Sequence, residues 1–151
     1  MTHHLPRTYV YTPQFYYITA MELLYPQESR ALMRIAMALH RELGCGFKEK
    51  VYQDAMEVLL QEHGIPYVRE KRLQIIFHGH ALQHDFYYDF LCYGKIGVEI
   101  KATETITGEH QSQLINYLRV GQQLLGVVFN FGNEHLQYKW LVNQHVLKNE
   151  K

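Results

Sequence analysis

The chain has 151 residues, with 15 basic and 15 acidic side chains and no formal net charge. This length suits one domain with a hydrophobic core, and the balanced charge neither demands nor excludes a polyanionic partner. Cys45 and Cys92 lack CxxC spacing, which argues against a disulfide framework and a cysteine-based zinc site. Because no apolar run approaches the roughly 20 residues that cross a bilayer and the start lacks a signal-peptide core, we expect a soluble, cytoplasmic protein without membrane contact.

Residues 1–28 differ from the rest of the chain. They hold five tyrosines and three prolines without a sustained helical or strand period, so we predict an aromatic-rich N-terminal arm before one domain at 29–151. Such a segment can hardly form a core of its own and needs a surface to cover. That surface is the same domain, nucleic acid or a second copy, and we favour a homo-oligomer because exposed aromatic patches promote association.

Two helices are predicted next. The first starts at Ser29 as N-cap and ends at Gly44, with Leu32, Ile35, Ala36, Leu39 and Leu43 at helical spacing. The second follows the turn "GCG" and runs through about His63, where "HGIP" stops it. Its predicted inward residues are Val51, Tyr52, Ala55, Met56, Leu59 and Leu60.

Strand patterns follow in "YVREKRLQIIF", "ALQHDFYYDFLCY" and "KIGVEIKA", separated by "HGH" and by a turn at Gly94. Helical period returns in "GEHQSQLINYLRVGQQ". The apolar "LLGVVFNFG" is typical of a strand covered on both faces, and "LQYKWLV" is a last strand. The order ααβββαββ predicts an α/β sandwich around a mixed sheet.

The hairpin centred on Gly94 carries the chemistry. Alternation places Phe90, Val98 and Ile100 on one face. Asp89, Glu99 and Lys101 share the other. A register symmetric about Gly94 sets the two carboxylates opposite each other, about 5 Å apart at Cβ, where they repel by roughly 3 kcal/mol. A divalent cation offsets that repulsion, and hard oxygen ligands suit magnesium or manganese. Lys101 could then orient a water beside the metal.

Each of these residues also has a simpler interpretation. The two carboxylates could edge a solvated face with Lys101 paired to one of them. Gln113 and Tyr117 share one helical face, with His110 a turn earlier, but that face could be an ordinary polar one with a buried tyrosine. Glu49 lies in a first helical turn, where a carboxylate favours the helix dipole in any case.

Other polar groups give weaker signals. His78, His80 and His84 lack a fourth ligand at zinc spacing, so a surface loop is favoured over a metal site. Arg69, Lys71 and Arg72 could track a phosphate backbone or form the polar edge of a strand. The tyrosines of the arm could stack on bases, although packing on protein is favoured.

Several ordered motifs resemble one known family. Gly46, Glu49 and Tyr52 form GxxExxY, preceded by HxxLG from His40 to Gly44, and the likeness continues through "EKRLQIIFHG", "VEIKA", "QLINYL" and "GVVFNFG". Covering roughly 29–142, the chain resembles the GxxExxY protein family of bacteria and archaea, which is assigned to the PD-(D/E)xK nuclease superfamily.

The resemblance implies a restriction-endonuclease-like fold and roles for individual residues. It implies that Asp89 and Glu99 are metal ligands with Glu49 as a helix-borne acidic residue at the metal, and that Lys101 is the motif lysine. Gln113 and Tyr117 match the QxxxY of the branch resembling phage lambda exonuclease and RecB nuclease domains. We therefore expect a magnesium-dependent nuclease, with DNA favoured over RNA. The rival is a nuclease-like domain that binds nucleic acid or a partner protein without cutting.

Overall fold

The computed structural model of the protein describes residues 24–149, with side chains through residue 147. The N-terminal arm predicted at 1–28 lies for the most part outside the described residues. Its role, and the division into an arm and a domain at 29–151, stay predictions. The helices are α1 Pro26–Leu43, α2 Glu49–Glu62, α3 Gly108–Gly121 and α4 Gln144–Asn149; the strands are β1 Tyr67–Leu73, β2 Ile76–Phe77, β3 His80–Ala81, β4 Phe86–Cys92, β5 Ile96–Lys101, β6 Leu125–Asn130 and β7 Gln137–Val142.

Five strands form one mixed sheet in the order β1-β4-β5-β6-β7. Neighbours pair antiparallel except β5 and β6, which are parallel and are joined by α3 as a crossover helix. The predicted mixed α/β architecture is therefore confirmed. Two strands were predicted too long, because β1 ends at Leu73 and β4 begins only at Phe86, and residues between them form a separate hairpin of β2 and β3. The short helix α4 was not predicted.

The two N-terminal helices follow the apolar period, with small corrections. The first helix begins at Pro26 rather than Ser29, and Ser29 lies buried inside it, its Oγ donating to the Leu24 carbonyl at 3.3 Å. Its predicted end is confirmed, since Gly44 caps it with φ 70°. Leu43 and Val51 are exposed rather than inward, because each lies at a helix end on the flank of the buried stripe.

The two faces of the sheet carry separate cores. Helices α1 and α2 cover one face, where Leu39, Met56, Phe90, Val98 and Phe129 belong to a large apolar cluster. Helix α3 covers the other face with a smaller cluster: Leu73, Tyr88, Leu91, Leu114, Leu118, Val128 and Leu141. Strand β6 is buried along its whole length between them, as its apolar sequence predicted.

Strands β1 and β4 both change faces at one point. Their ladder skips Glu70 and Asp89, and Glu70 has φ 53°. Before this point Arg69 lies over the Phe90 ring on the α1/α2 face, and beyond it Leu73 and Tyr88 pack beneath α3. Such an irregularity redirects side chains, and here it frees Asp89 from the regular ladder.

Within residues 24–149, no helix has the length and apolar character needed to span a membrane.

Candidate active site

The hairpin of β4 and β5 has the register that the sequence predicts. Phe90 faces Val98, Leu91 faces Gly97 and Cys92 faces Ile96, so the pairing is symmetric about Gly94. Tyr93 and Gly94 both have positive φ, as tight hairpin turns require. Asp89 and Glu99 come directly after the last pair of this ladder, one on each strand.

At the end of this ladder the Asp89 side chain, rather than a backbone carbonyl, accepts a hydrogen bond from the backbone of β5. Its Oδ2 accepts a hydrogen bond from the Ile100 N–H at 2.7 Å. Burial raises the pKa of Asp89, while the Ile100 N–H, Glu99 and the charge of Lys101 act to lower it and Glu70 acts to raise it. Asp89 is therefore held in one orientation beside Glu99 and within the field of Lys101.

Glu99 is the most unusual charged group of the site. It is 6 % exposed, and its Oε1 has no hydrogen-bond partner in the part of the chain that the structure describes. Burial raises the pKa of Glu99 well above its ordinary value, and the charge of Asp89 raises it further, against the opposing effect of Lys101. A buried carboxylate oxygen without a partner is costly to keep, so this atom marks a place for a ligand.

Lys101 ends β5, and the backbone around it is fixed from β6. The Lys101 carbonyl accepts from the Phe131 N–H at 2.9 Å. Buried Asn130 accepts from the Thr103 N–H and donates to the Thr103 carbonyl, both at 2.9 Å, and it also donates to Gln137. The loop leading from Lys101 towards α3 is thereby anchored to the strand beside it.

Glu49 enters the site from the first turn of α2. Burial raises its pKa, Lys101 lowers it and Asp89 raises it, so the half-buried carboxylate lies within the field of both residues. Its Oε1 accepts from Gln53 Nε2 at 3.3 Å, one turn along the helix.

Tyr52 fixes the loop that leads into Glu49. Its hydroxyl donates to the Gly44 carbonyl at 2.6 Å and accepts from the Phe47 N–H at 3.3 Å. Its ring stacks on Phe131 with centroids 5.0 Å apart. Since the Phe131 N–H also donates to the Lys101 carbonyl, Tyr52 connects the start of α2 with the end of β5.

Helix α3 presents a polar face to the same cleft. Gln113 Nε2 donates to the Tyr117 hydroxyl at 3.0 Å. The pKa of Tyr117 is raised by burial and by the negative charges of Glu99 and Asp89, and the pKa of His110 is lowered by burial and by Lys101. Tyr117 and His110 therefore lie within the field of the strand residues, whereas Gln113 is exposed and reaches them through Tyr117.

Two positioning residues were missed by sequence reasoning. Asn130 is the single polar residue in the apolar strand β6, and this contrast in the sequence could have identified it. Tyr88 is fully buried, and its single O–H lies within hydrogen-bond distance of two acceptors, Gln123 Oε1 at 2.7 Å and the Tyr117 carbonyl at 3.0 Å. Its ring lies across Gly97, where a Cβ would approach the ring to 2.7 Å.

The site fits a hard divalent cation with few protein ligands. Among the described residues, no group of three or more His, Cys, Asp or Glu side chains assembles into a metal site, so the metal-ligand roles of Glu49, Asp89 and Glu99 stay predictions. Glu99, with its unpartnered oxygen, and neighbouring Asp89 nevertheless form a pair of carboxylates that could supply oxygen ligands. Magnesium commonly uses one or two carboxylates and keeps several waters, which this pair can satisfy.

The other polar groups singled out in the sequence have ordinary settings. Arg69 pairs with Asp54 and Glu57 on α2, at 2.7 and 3.2 Å. Arg72 pairs with Asp85 at 3.4 Å. His78, His80 and His84 are exposed around the β2–β3 hairpin, consistent with the favoured surface-loop interpretation.

A family model described as the PD-(D/E)XK nuclease superfamily matches residues 26–141. The match covers most of the chain, and the protein therefore belongs to the PD-(D/E)XK nuclease superfamily. The predicted restriction-endonuclease-like fold is confirmed. The narrower placement in the GxxExxY family and in the lambda-exonuclease-like branch stays a prediction.

Two further comparisons add little detail. The solved structure "Crystal structure of SSO0001" is similar, with 16% sequence identity and a TM-score of 0.49 over 86% of this chain and 65% of that one. The chain thus spans about two thirds of that protein's length. No match was found among curated proteins.

Proposed function

We propose that the protein is a metal-dependent nuclease that hydrolyses phosphodiester bonds, with DNA favoured over RNA as the substrate. The observation that carries the proposal is the Asp89–Glu99 pair, in which a nine-tenths buried carboxylate has an oxygen without a partner in residues 24–149. Superfamily membership supports the same reaction class. The protein is proposed to act in the cytoplasm.

Asp89 and Glu99 would hold magnesium or manganese. When bound, the ion would polarise a phosphoryl oxygen and stabilise the charge that develops in the transition state. The Ile100 N–H keeps the Asp89 carboxylate oriented towards Glu99. Burial raises the pKa of both carboxyl groups, and the charge of Asp89 raises the pKa of Glu99 further; a bound dication would act in the opposite direction.

Lys101 and Glu49 would both act on the attacking water. The Lys101 ammonium lies near both strand carboxylates and near Glu49, as its effect on their pKa values indicates, and it positions the water. Glu49 accepts a hydrogen bond from that water, and its raised pKa suits a group that takes up a proton.

Gln113 and Tyr117 complete the cleft from α3. Their mutual hydrogen bond fixes the Tyr117 hydroxyl, which lies within the field of Glu99 and Asp89. The pair would orient the scissile phosphate relative to Lys101. The amide of exposed Gln113 retains a second N–H that could donate to a phosphate oxygen.

A cleavage assay tests the proposal. The full chain is incubated with linear, nicked and single-stranded DNA and with RNA, with magnesium, with manganese and with chelator. We expect metal-dependent cleavage that falls about 10²–10³-fold in Lys101→Ala. Lys95→Ala is the matched control, because Lys95 belongs to the same hairpin but pairs with Glu28 at 3.1 Å.

Equal cleavage by wild type and Lys101→Ala would refute the mechanism. Binding without any cleavage in either metal would favour the rival, a nuclease-like domain that holds nucleic acid without cutting it.

A further inference from the structure

A groove lies between α3 and residues Ile75 and Phe86, next to the proposed active site. It has a volume of about 560 Å³, and its lining consists of Ile75, Phe86, Glu109, Ser112, Gln113, Asn116, Tyr117, Arg119 and Val120. Binding sites for small molecules commonly enclose roughly 300–1,000 Å³. The groove is therefore large enough for one nucleotide.

The groove lies beside the strand that carries Asp89. Phe86 in its lining belongs to β4, three residues before Asp89, which pairs with Glu99 in the proposed site. The Phe86 ring lies 5.7 Å from that of Tyr117, which lines the groove together with Gln113. A nucleic-acid strand whose phosphate reached those carboxylates would pass Tyr117 and enter this groove with its next nucleotide.

The lining suits a base better than an apolar peptide. Phe86 and Tyr117 form an aromatic floor, with ring centroids 5.7 Å apart. Ser112, Asn116 and Gln113 supply hydroxyl and amide groups that can bond base edges, and Arg119 supplies a cation for a phosphate. Aromatic rings stack on bases of any sequence, provided that the bases are unpaired.

We propose that the α3 groove binds an unpaired nucleotide, stacked on Phe86, in the strand that enters the active site. This inference rests on the proposed nuclease function and narrows it. The substrate is single-stranded nucleic acid, or a duplex with a frayed or overhanging end, rather than the interior of an intact duplex. Glu109 at the rim repels phosphate, which leaves Arg119 as the cationic lining residue for the backbone.

Binding is measured by fluorescence anisotropy in chelator, where no metal-dependent cleavage occurs. Labelled single strands, the same strands with abasic positions, and blunt duplexes are titrated with wild type and with Phe86→Leu, which keeps apolar bulk but loses the aromatic face. We expect wild type to prefer the intact single strand and Phe86→Leu to lose about 5- to 100-fold in affinity for it. The abasic strand should bind both proteins alike.

Two further variants guard against misfolding and non-specific loss. Asn116→Met fills the groove from an exposed helical position without adding an aromatic face, and it should weaken single-strand binding in the same way. Phe77→Leu is the matched control, because Phe77 is 60 % exposed on the β2–β3 hairpin and is not part of the groove lining. Thermal melts check that each variant is folded.

Unchanged single-strand affinity in folded Phe86→Leu and Asn116→Met would overturn the inference, as would equal loss of single-strand and duplex binding. A drop in oligomer mass in Asn116→Met without a change in binding would assign the groove to a second copy instead. These binding results can be distinguished from the result of the cleavage assay. Groove-dependent binding without cleavage would refute only the nuclease, and cleavage with groove variants that bind normally would refute only the groove.

Discussion

The two faces of the central sheet are built for different purposes. On the α1/α2 face, side chains such as Leu39, Met56 and Phe129 form a large and almost wholly apolar cluster. The α3 face has the smaller cluster, and it holds buried Glu99 with an oxygen that no described residue satisfies. The α1/α2 face therefore supplies most of the hydrophobic stabilisation, which allows the α3 face to retain a costly carboxylate pair.

The largest expected effect is on the α1/α2 face. Phe129→Ala should lower the free energy of unfolding by about 3–5 kcal/mol, because it opens a cavity among fully buried neighbours. Chemical denaturation monitored by circular dichroism measures the change. Phe77→Ala, at an exposed aromatic position, is the control and should change stability little. Similar losses in both variants would contradict the assignment of this cluster as the main core.

Replacing the buried carboxylate should have the opposite sign. In chelator at neutral pH, Glu99→Gln should raise the free energy of unfolding by about 1–3 kcal/mol, because the neutral amide removes repulsion and can donate to Asp89. The folded-state pKa of Glu99 lies above its unfolded value of about 4.3. Its stabilising contribution is thus complete below that pH and is lost as pH rises through the folded pKa.

The advantage of Glu99→Gln should therefore be small at pH 4 and grow towards neutral pH. Unfolding curves at several pH values test this trend, with Glu57→Gln as the control at a half-buried carboxylate outside the cleft. An advantage that shrinks with rising pH would contradict the sign of the shift.

The smallest effect on stability is expected at Tyr52, which belongs to the α1/α2 cluster and fixes the loop before Glu49. Tyr52→Phe loses the hydroxyl bonds to the Gly44 carbonyl and the Phe47 N–H, which should cost about 1–2 kcal/mol. Because these bonds fix the loop before Glu49, cleavage should fall more than stability suggests, by about 10- to 100-fold. The control is Tyr67→Phe, whose hydroxyl bonds exposed Gln61. A stability loss without loss of cleavage rate would make Tyr52 purely structural.

The sequence predicted the features that depend on local pattern. Alternation around Gly94 was sufficient for the hairpin register, and the apolar period was sufficient for α1 and α2. The exchange of faces at Glu70 and Asp89 was not predictable, because a positive φ at Glu70 carries no mark in the neighbouring residues and depends on the surrounding sheet.

The candidate site likewise contains residues that the local sequence pattern identifies and contacts that it does not. Asp89, Glu99 and Lys101 follow from one hairpin and could be named from it. The support of Asn130 for the loop after Lys101 depends on partners 27 residues away, and the link from Tyr52 through Phe131 to Lys101 joins three separate elements. Such contacts exist only after the chain has folded.

Isothermal titration calorimetry of magnesium and manganese tests the central claim most directly. We predict that the wild-type chain binds the ion, that Asp89→Asn and Glu99→Gln each abolish binding, and that Asp54→Asn, at an exposed carboxylate paired with Arg69, retains it. Absence of binding in the wild type, or equal binding in all four proteins, would contradict the assignment of the Asp89–Glu99 pair as a metal site.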